Sequence, residues 1–311
     1  MTVNAALGWL GRNAAAMLAG GVFAGLIAPP LAALLRPLLV PVIVLILAVT
    51  LVRLDWGAMA GYGRRPGLVA LGVIWLMVVS PTVVWAVAVV FAPPPALLAA
   101  LTLTAAAPPI MATAVFALIL GLDAPLAIVV ATAATIATPF TLPLLALMLL
   151  GLELDIGLAE FSLRLAFLIG GAFAIAFAAR RPAPAGWIDD NATQLDGLAV
   201  ILLLTFAIGI MDGVMATLVE RAGYVALCTA AAFALNLGLQ AAGALAFAPL
   251  GRRRALTFGL TSGYCNMGLV LAVLADKADF DVVVFFAMGQ LPMYMLPLLL
   301  RPVYRRLLPQ G

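Results

Sequence analysis

The sequence contains no histidine and little charge, and each shortage excludes a class of function. Without histidine the chain has no His-Glu-x-x-His zinc motif and no imidazole for proton transfer near neutral pH. Charged residues make up 9% of the 311 residues, whereas soluble domains contain about a quarter. The arginines lie in short blocks between apolar stretches, so nothing resembles the basic surface of a nucleic-acid-binding module.

Cysteine and buried acid are also scarce. Cys228 and Cys265 both lie in apolar stretches and form no Cys-x-x-Cys pair, so they predict neither a disulfide framework nor a metal site. Asp196 and Asp212 lie near the ends of apolar stretches, where we expect them to be hydrated. The sequence shows no convincing catalytic serine and base, and no pair of buried aspartates, so we expect neither an enzyme nor a bound cofactor.

Hydrophobic residues, in contrast, make up 66% of the chain, and apolar runs of membrane-spanning length recur along it. This pattern predicts an all-helical, multi-pass membrane protein with about ten spans. The predicted spans are 13–28, 34–52, 66–92, 96–120, 124–150, 161–179, 196–217, 222–248, 255–276 and 281–300. The first is interpreted as a span and not as a signal peptide, because no small-residue cleavage site follows it.

The positive charges predict the orientation of these spans. Twelve of the sixteen lysines and arginines, including the block Arg252–Arg254, fall on the side that carries both termini. Because cytoplasmic loops are enriched in these residues, we expect both termini in the cytoplasm, and the protein in the plasma membrane, which in bacteria is the inner membrane. The polar stretch 53–65 is too short to span and is predicted to lie along the cytoplasmic interface, with Trp56 and Tyr62 at headgroup level.

Two of the predicted spans are interrupted. In "AAAPPIMATAV", residues 105–115, Pro108 and Pro109 remove two backbone donors and clash with the preceding turn. In "FGLTSGYCNMG", residues 258–268, two glycines flank side chains that compete for backbone hydrogen bonds. We therefore expect a break in each helix.

The two breaks occupy equivalent places in the two halves of the chain. A shift of 154 residues brings them into approximate register and also superposes "LPLL" at 142–145 on "LPLL" at 296–299. We predict two repeats of about five spans each, 1–155 and 156–311, the second inverted because five is an odd number. Paired broken helices in inverted repeats mark the binding site of many secondary transporters, although a single break is more often a simple kink.

Polar groups at and near the breaks are the candidate substrate-binding residues. The N-terminal end of a half-helix exposes free N–H groups with partial positive charge, which suit a carboxylate or a sulfonate. The candidates are Pro108, Pro109, Met111, Thr113, Thr132, Thr135, Thr261, Ser262, Tyr264, Cys265, Asn266 and Gln290. For any single threonine, a hydrogen bond to its own helix is the competing expectation, and for Gln290 a link between helices.

Several of these stretches resemble the bile acid:sodium symporter family, which consists of ten-helix transporters with a core and a panel domain. "PPIMATAVFALILGLDAPLAIVVATAATIATPFTLP" (108–143) is similar to the family's fourth and fifth helices, and "SGYCNMGLVLAVLA" (262–275) to its ninth. The run 50–87, with a basic pair before Pro66 and the later Pro81, is similar to its second and third helices. The resemblance implies that the fourth and fifth helices cross the ninth at the breaks.

The sequence departs from the family mainly at the sodium ligands. In the ninth helix the family's glutamate corresponds to Thr261 and its glutamine to Cys265, whereas its asparagine is kept as Asn266. The fourth-helix Ser-Asn pair corresponds to Thr113 and Ala114, the fifth-helix Ser and Thr to Ala127 and Ala131, and a third-helix Gln to a position near Leu76. Sodium prefers oxygen ligands, carboxylates first, so the resemblance implies that both sodium sites are lost.

The leading hypothesis is a secondary transporter that moves a small organic anion across the lipid bilayer by alternating access, with weak or no sodium coupling. Carriers similar to auxin-efflux or arsenite carriers, with another class of substrate, are an alternative, because they also break helices at a crossing. A passive channel is a further alternative, because loss of ion coupling is one step toward passive conduction.

Overall fold

A computed structural model describes residues 7, 9, 14–54, 66–151, 157–184, 186–274 and 277–308, and within them the chain is helical. Its helices are α1 (Ala14–Ile27), α2 (Pro29–Leu35), α3 (Leu39–Val52), α4 (Pro66–Ile74), α5 (Ser80–Val90), α6 (Pro95–Ala106), α7 (Thr113–Ile119), α8 (Ala124–Leu150), α9 (Leu158–Arg180), α10 (Trp187–Asp190), α11 (Ala192–Gly209), α12 (Val214–Glu220), α13 (Ala222–Ala246), α14 (Arg252–Gly263), α15 (Met267–Leu274), α16 (Phe280–Leu299) and α17 (Arg301–Leu307). The predicted interfacial residues Trp56 and Tyr62 lie outside the described part of the chain.

Seven helical stretches of the described chain are long and apolar enough to cross a membrane. They are Pro29–Val52, Pro66–Val90, Ala124–Leu150, Leu158–Arg180, Ala192–Glu220, Ala222–Ala246 and Phe280–Leu299. The protein is therefore a multi-pass helical membrane protein, as its composition predicts. The other three predicted spans are shorter helices: α1 has 14 residues, and 96–120 and 255–276 are each divided into two helices, at the expected breaks.

Two of the long stretches are less regular than the sequence predicts. Span 196–217 was expected to be continuous, but α11 ends at Gly209 and α12 begins at Val214, after Gly213 with φ +78°. Span 66–92 contains a π-helical turn over Trp75–Val79, in which the amide of Ser80 donates to the carbonyl of Trp75. Pro81 has no N–H for the carbonyl of Met77, so the regular hydrogen-bond ladder cannot continue through this turn.

Contacts divide the chain into two compact units, each built from segments of both halves of the sequence. The first unit comprises the described residues of Met1–Leu54 and Ala166–Ala226. In it, α11 packs against α1, α2 and α3. Arg180 closes the end of α3 by donating from Nη1 to the carbonyls of Val52 and Leu54, at 2.6 and 2.8 Å.

Asp196 and Asp212 of the first unit keep contact with solvent, as expected, and each is also paired with an arginine. Arg36 Nη1 lies 2.9 Å from Asp212 Oδ2, beside the interruption between α11 and α12. Arg53 forms an ion pair with Asp196. All four side chains keep at least 21% of their surface exposed, so each pair contributes little to stability and mainly fixes the register of its helices.

The second unit comprises the described residues of Asp55–Leu165 and Leu227–Gly311, and it contains both broken helices. Its apolar core lies where the π-helical turn, α8 and α14 pack together. Leu76, Met77, Leu126, Val130 and Phe258 belong to one buried cluster of this core. The rings of Phe247 and Phe258 stack there with centroids 3.8 Å apart.

Helices of the second unit recur in the same order in both halves of the chain. Helices α4, α6, α7 and α8 begin at residues 66, 95, 113 and 124, and α13, α14, α15 and α16 begin at 222, 252, 267 and 280. Each helix of the second set therefore begins 154 to 157 residues after its counterpart in the first set. This spacing is close to the shift of 154 residues that superposes the two breaks in the sequence.

Candidate functional site

The two breaks have different local causes. Helix α6 ends at Ala106, and Ala107 adopts an extended conformation (φ −72°, ψ 146°) because the residue before a proline is excluded from helical geometry. Helix α14 ends at Gly263, followed by Tyr264 at φ −101° and ψ 69°. The chain resumes as α7 at Thr113 in the first case and as α15 at Met267 in the second.

The structure brings the two breaks together through the backbone. The amide of Ile110 donates to the carbonyl of Tyr264 at 2.8 Å, and the amide of Asn266 donates to the carbonyl of Pro108 at 2.7 Å. These bonds make Pro109 and Cys265 an isolated antiparallel bridge. Two freed amides and two freed carbonyls thus satisfy one another, which helps a non-helical segment to lie deep in an apolar unit.

All the candidate residues lie in the second unit. The buried candidates are Pro108, Pro109, Met111, Thr113, Thr132, Thr135, Thr261, Ser262, Tyr264, Cys265 and Gln290, whereas Asn266 is partly exposed. Thr132 on α8 lies 3.8 Å from the sulfur of Met111, which brings α8 to the first break.

Most of the candidate hydroxyl groups donate to backbone carbonyls three or four residues earlier. This is the alternative expected for any single threonine. Thr132 and Thr135 each donate to a carbonyl four residues earlier at 2.8 Å, and Thr113 donates to the carbonyl of Ile110 at 2.7 Å. Thr261 and Ser262 donate to carbonyls of α14, at 3.0 to 3.1 and 2.7 Å. In this arrangement these five hydroxyls have no proton left to donate to an anion.

The side chain of Asn266 caps the half-helix that follows the second break. Its Oδ1 accepts from the amide of Leu269, a backbone group freed by this break, at 3.1 Å, as an N-cap of α15. The link to the first break is made by its backbone amide and not by its side chain. Its Nδ2 donates no hydrogen bond to the described residues and remains available to a ligand.

Three further polar atoms near the breaks are buried and unpaired within the described chain: the hydroxyls of Thr104 and Tyr264 and Oε1 of Gln290. The ring of Tyr264 lies 5.3 Å from that of Phe116 on α7, so this side chain packs against the other broken helix. Gln290 donates from Nε2 to the carbonyl of Phe286 at 3.0 Å and so bonds within its own helix, not between helices.

A buried chain of hydrogen-bonded side chains, which is not among the residues predicted from the sequence, contacts the second break. Tyr304 of α17 donates to Oε1 of Gln240 at 2.7 Å, and Nε2 of Gln240 donates to Oδ1 of Asn236 at 2.6 Å. Nδ2 of Asn236 then donates to the carbonyl of Gly263 at 2.7 Å. Burial raises the pKa of Tyr304 above its ordinary value, so the phenol at the start of this chain stays protonated. Two carboxamides four residues apart in an apolar helix were the signal available in the sequence.

Trp75 contacts the second break from another side. Its indole Nε1 donates to Oγ of Ser262 at 2.9 Å, and the π-helical turn begins at this residue. Such turns occur often at functional sites, because they re-aim one side chain without ending the helix.

The positions that correspond to the family's sodium ligands offer few oxygen atoms. Leu76 belongs to the buried apolar cluster, and Ala127 and Ala131 are fully buried. Thr261 uses its hydroxyl proton on its own helix. No group of three or more His, Cys, Asp or Glu that could hold a metal ion occurs within the described residues.

The family model for the Sodium Bile acid symporter family matches residues 40–221 of the chain. The match covers more than half of the 311 residues and includes the first break. No curated protein matches the chain.

Proposed function

Because the chain belongs to the Sodium Bile acid symporter family, we propose that it is a secondary transporter that moves a small organic anion across the membrane by alternating access. The family match confirms the resemblance predicted from the sequence. A family of membrane transporters also agrees with the seven helical stretches of the described chain that are long and apolar enough to cross a membrane, and it is consistent with a protein that is not an enzyme.

The observation that carries this proposal is the pairing of the two broken helices. The amides of Ile110 and Asn266 each donate to a carbonyl of the other break, and Asn266 is partly exposed there. An ordinary kink in one helix needs no partner from a distant segment. Crossed, discontinuous helices are the arrangement in which secondary transporters place their substrates.

An anion at this crossing would be bound by neutral donors. No charged side chain is buried in the part of the chain that the structure describes. Two donors at the second break are Nδ2 of Asn266 and the positive end of α15, which begins directly after Asn266. We expect a carboxylate or sulfonate group to accept from both, and the rest of the substrate to contact apolar surface.

Uptake into proteoliposomes tests the proposal, with radiolabelled taurocholate and pyruvate as a large and a small anionic probe. We expect saturable uptake of at least one probe, above that of protein-free liposomes, and a fall of about tenfold or more in Asn266→Ala. Thr205→Ala is the control, because Thr205 lies in the first unit and bonds only to the carbonyl of Ile201.

Three outcomes would count against the proposal. Uptake of neither probe, or wild-type uptake by Asn266→Ala, would remove the crossing as a substrate site. Uptake that rises with concentration without saturating would favour a passive channel.

The proposed transport is weakly coupled or uncoupled to sodium. At the positions where the resemblance places sodium ligands, Leu76 packs in an apolar cluster and Ala127 and Ala131 supply no side-chain oxygen. Because neutral carbonyls alone bind sodium less well than a site with a carboxylate, we expect little cooperation between sodium and substrate.

We also propose that the chain forms two inverted repeats of about five spans, with both termini in the cytoplasm. The recurrence of helix order at a spacing of 154 to 157 residues supports the repeat. The arginine distribution supports the orientation, because twelve of sixteen positive charges fall on the side of the termini. The interruptions in both halves then meet at one crossing.

A further inference from the structure

A small cavity lies beside the crossing, within the second unit. Its volume is about 20 Å³. Its lining includes Thr104 of α6, Asn236 of α13, Gly263 and Cys265 at the second break, and Phe285 and Pro292 of α16. Substrate pockets measure several hundred cubic ångströms, so this cavity is too small for an organic anion. It is large enough for one water molecule.

The hydroxyl of Thr104 lines this cavity and has no hydrogen-bond partner within the described chain. The residue is 5% exposed. Thr102, two residues earlier in the same helix, donates to the carbonyl of Leu98 at 2.8 Å. An unpaired buried hydroxyl loses its hydrogen bonds to water and gains none in return, which is unfavourable. We therefore expect the hydroxyl of Thr104, unlike that of Thr102, to have a hydrogen-bond partner inside the cavity.

Asn236 has capacity to share such a partner. A carboxamide has two N–H donors and two acceptor lone pairs. One N–H of Asn236 donates to the carbonyl of Gly263, and one lone pair of its Oδ1 accepts from Nε2 of Gln240. One donor and one lone pair therefore remain on a side chain that lines the same cavity as Thr104.

We propose that the cavity is a site for one ordered water molecule, hydrogen-bonded to Thr104 and to Asn236. The water joins α6 to α13, and Asn236 joins α13 to α14 through Gly263. The two broken helices are thus linked a second time, in addition to the backbone bridge at Pro109 and Cys265.

The alternative occupant of the same oxygen atoms is an alkali cation. No acidic residue is among those that line the cavity in the described chain. A cation there would be held by neutral oxygens alone, which is costly among buried residues without a charged partner. Water is therefore the expected occupant.

The sign of a stability change tests the proposal. Thr104→Val removes the hydroxyl and keeps the shape of the side chain. If the water is present, the substitution deprives it of a partner, and we expect the thermal unfolding midpoint in detergent to fall by about 2 °C. If the cavity is empty, the substitution removes an unsatisfied polar group, and the midpoint is unchanged or rises. Thr102→Val is the matched control, because it breaks only a bond within α6.

Two further measurements separate the outcomes. The wild-type midpoint should be the same in sodium, potassium and choline chloride at equal ionic strength, and a rise specific to one alkali cation would overturn the assignment to water. A high-resolution experimental structure should show one density peak within hydrogen-bond distance of Thr104 Oγ1 and the Asn236 carboxamide. An empty cavity there, or a midpoint in Thr104→Val at or above that of the wild type, would refute the proposal.

Discussion

Replacing Gln240 with methionine would cut the buried hydrogen-bonded chain at its middle while keeping an unbranched side chain of similar length. Gln240 accepts from the hydroxyl of Tyr304 and donates to Asn236, at 2.7 and 2.6 Å. Gln240→Met removes the acceptor of the Tyr304 hydroxyl and the donor to Oδ1 of Asn236, and both residues are buried. Each orphaned group costs about 1–3 kcal/mol in soluble proteins. Hydrogen bonds between membrane helices average about 0.6 and reach about 1.7 kcal/mol, so we expect a total loss of about 1–3 kcal/mol.

Gln290→Met is the matched control for this experiment. Gln290 is also a buried glutamine, but it bonds only to the carbonyl of Phe286 in its own helix, and its Oε1 is unpaired within the described chain. Removing that unsatisfied atom should leave stability unchanged or raise it. The same substitution at two buried glutamines is thus expected to have opposite or clearly unequal effects.

The two cysteines of the chain supply the assay. Cys228 and Cys265 are both buried, so a thiol-reactive fluorophore should label them only when the protein unfolds. Unfolding midpoints in detergent are then compared for the wild type, Gln240→Met and Gln290→Met. If Gln240→Met unfolds no earlier than Gln290→Met, the chain of hydrogen bonds from Tyr304 to Gly263 does not stabilise the second break.

Four other predictions concern transport, coupling, packing and topology. Pro108→Ala restores a backbone donor at the first break, so the initial uptake rate should fall by a factor of roughly three to ten, whereas an unchanged rate would show that the break tolerates a straight helix. The apparent affinity for a transported probe should agree within about tenfold, or 1.4 kcal/mol, in sodium and choline buffers, and a larger gain in sodium would reveal a surviving ion site. Gly263→Ala would place a methyl group 2.5 Å from Cγ of Gln240 and 2.8 Å from the carbonyl oxygen of Asn236, so the unfolding midpoint should fall by the equivalent of about 1–3 kcal/mol; a wild-type midpoint would mean that the close approach is not required. A single cysteine at Arg254 should be inaccessible to an impermeant thiol reagent added outside intact cells, and labelling from outside would reverse the proposed orientation.

The breaks were predictable because their causes are local. Pro108 and Pro109 change the backbone at their own positions, so the interruption can be predicted from the sequence without knowing which residues pack around it. The partners of the freed backbone groups were not predictable in the same way. The bonds between Ile110 and Tyr264 and between Asn266 and Pro108 join segments more than 150 residues apart. From the sequence alone, any other unpaired amide and carbonyl would have been an equally good pair of partners.

Side-chain roles were harder to predict than helix breaks. The chemistry of Asn266 allows it to bond to many groups, and in the structure its oxygen forms the N-cap of α15. Asp212 keeps contact with solvent, as expected near a predicted span end, but the interruption after α11 also places it against Arg36, a partner that the sequence does not predict. Both partners depend on tertiary packing, because a polar group pairs with whichever group the fold brings next to it.

The neutrality of the crossing bears on how such a site can move. In alternating access, a binding site is exposed first to one side of the membrane and then to the other. A buried charge would raise the barrier to this movement, because its desolvation cost changes as its surroundings change. Within the described chain, the crossing instead holds backbone groups of the two breaks that pair with each other, and threonine and serine hydroxyls that bond to nearby backbone carbonyls, with no buried charged side chain. In the function that we propose, such a site would bind an anion weakly, through Asn266 and a helix end. The substrate would then bring the only charge that must be transferred, which agrees with transport that does not require a coupled cation.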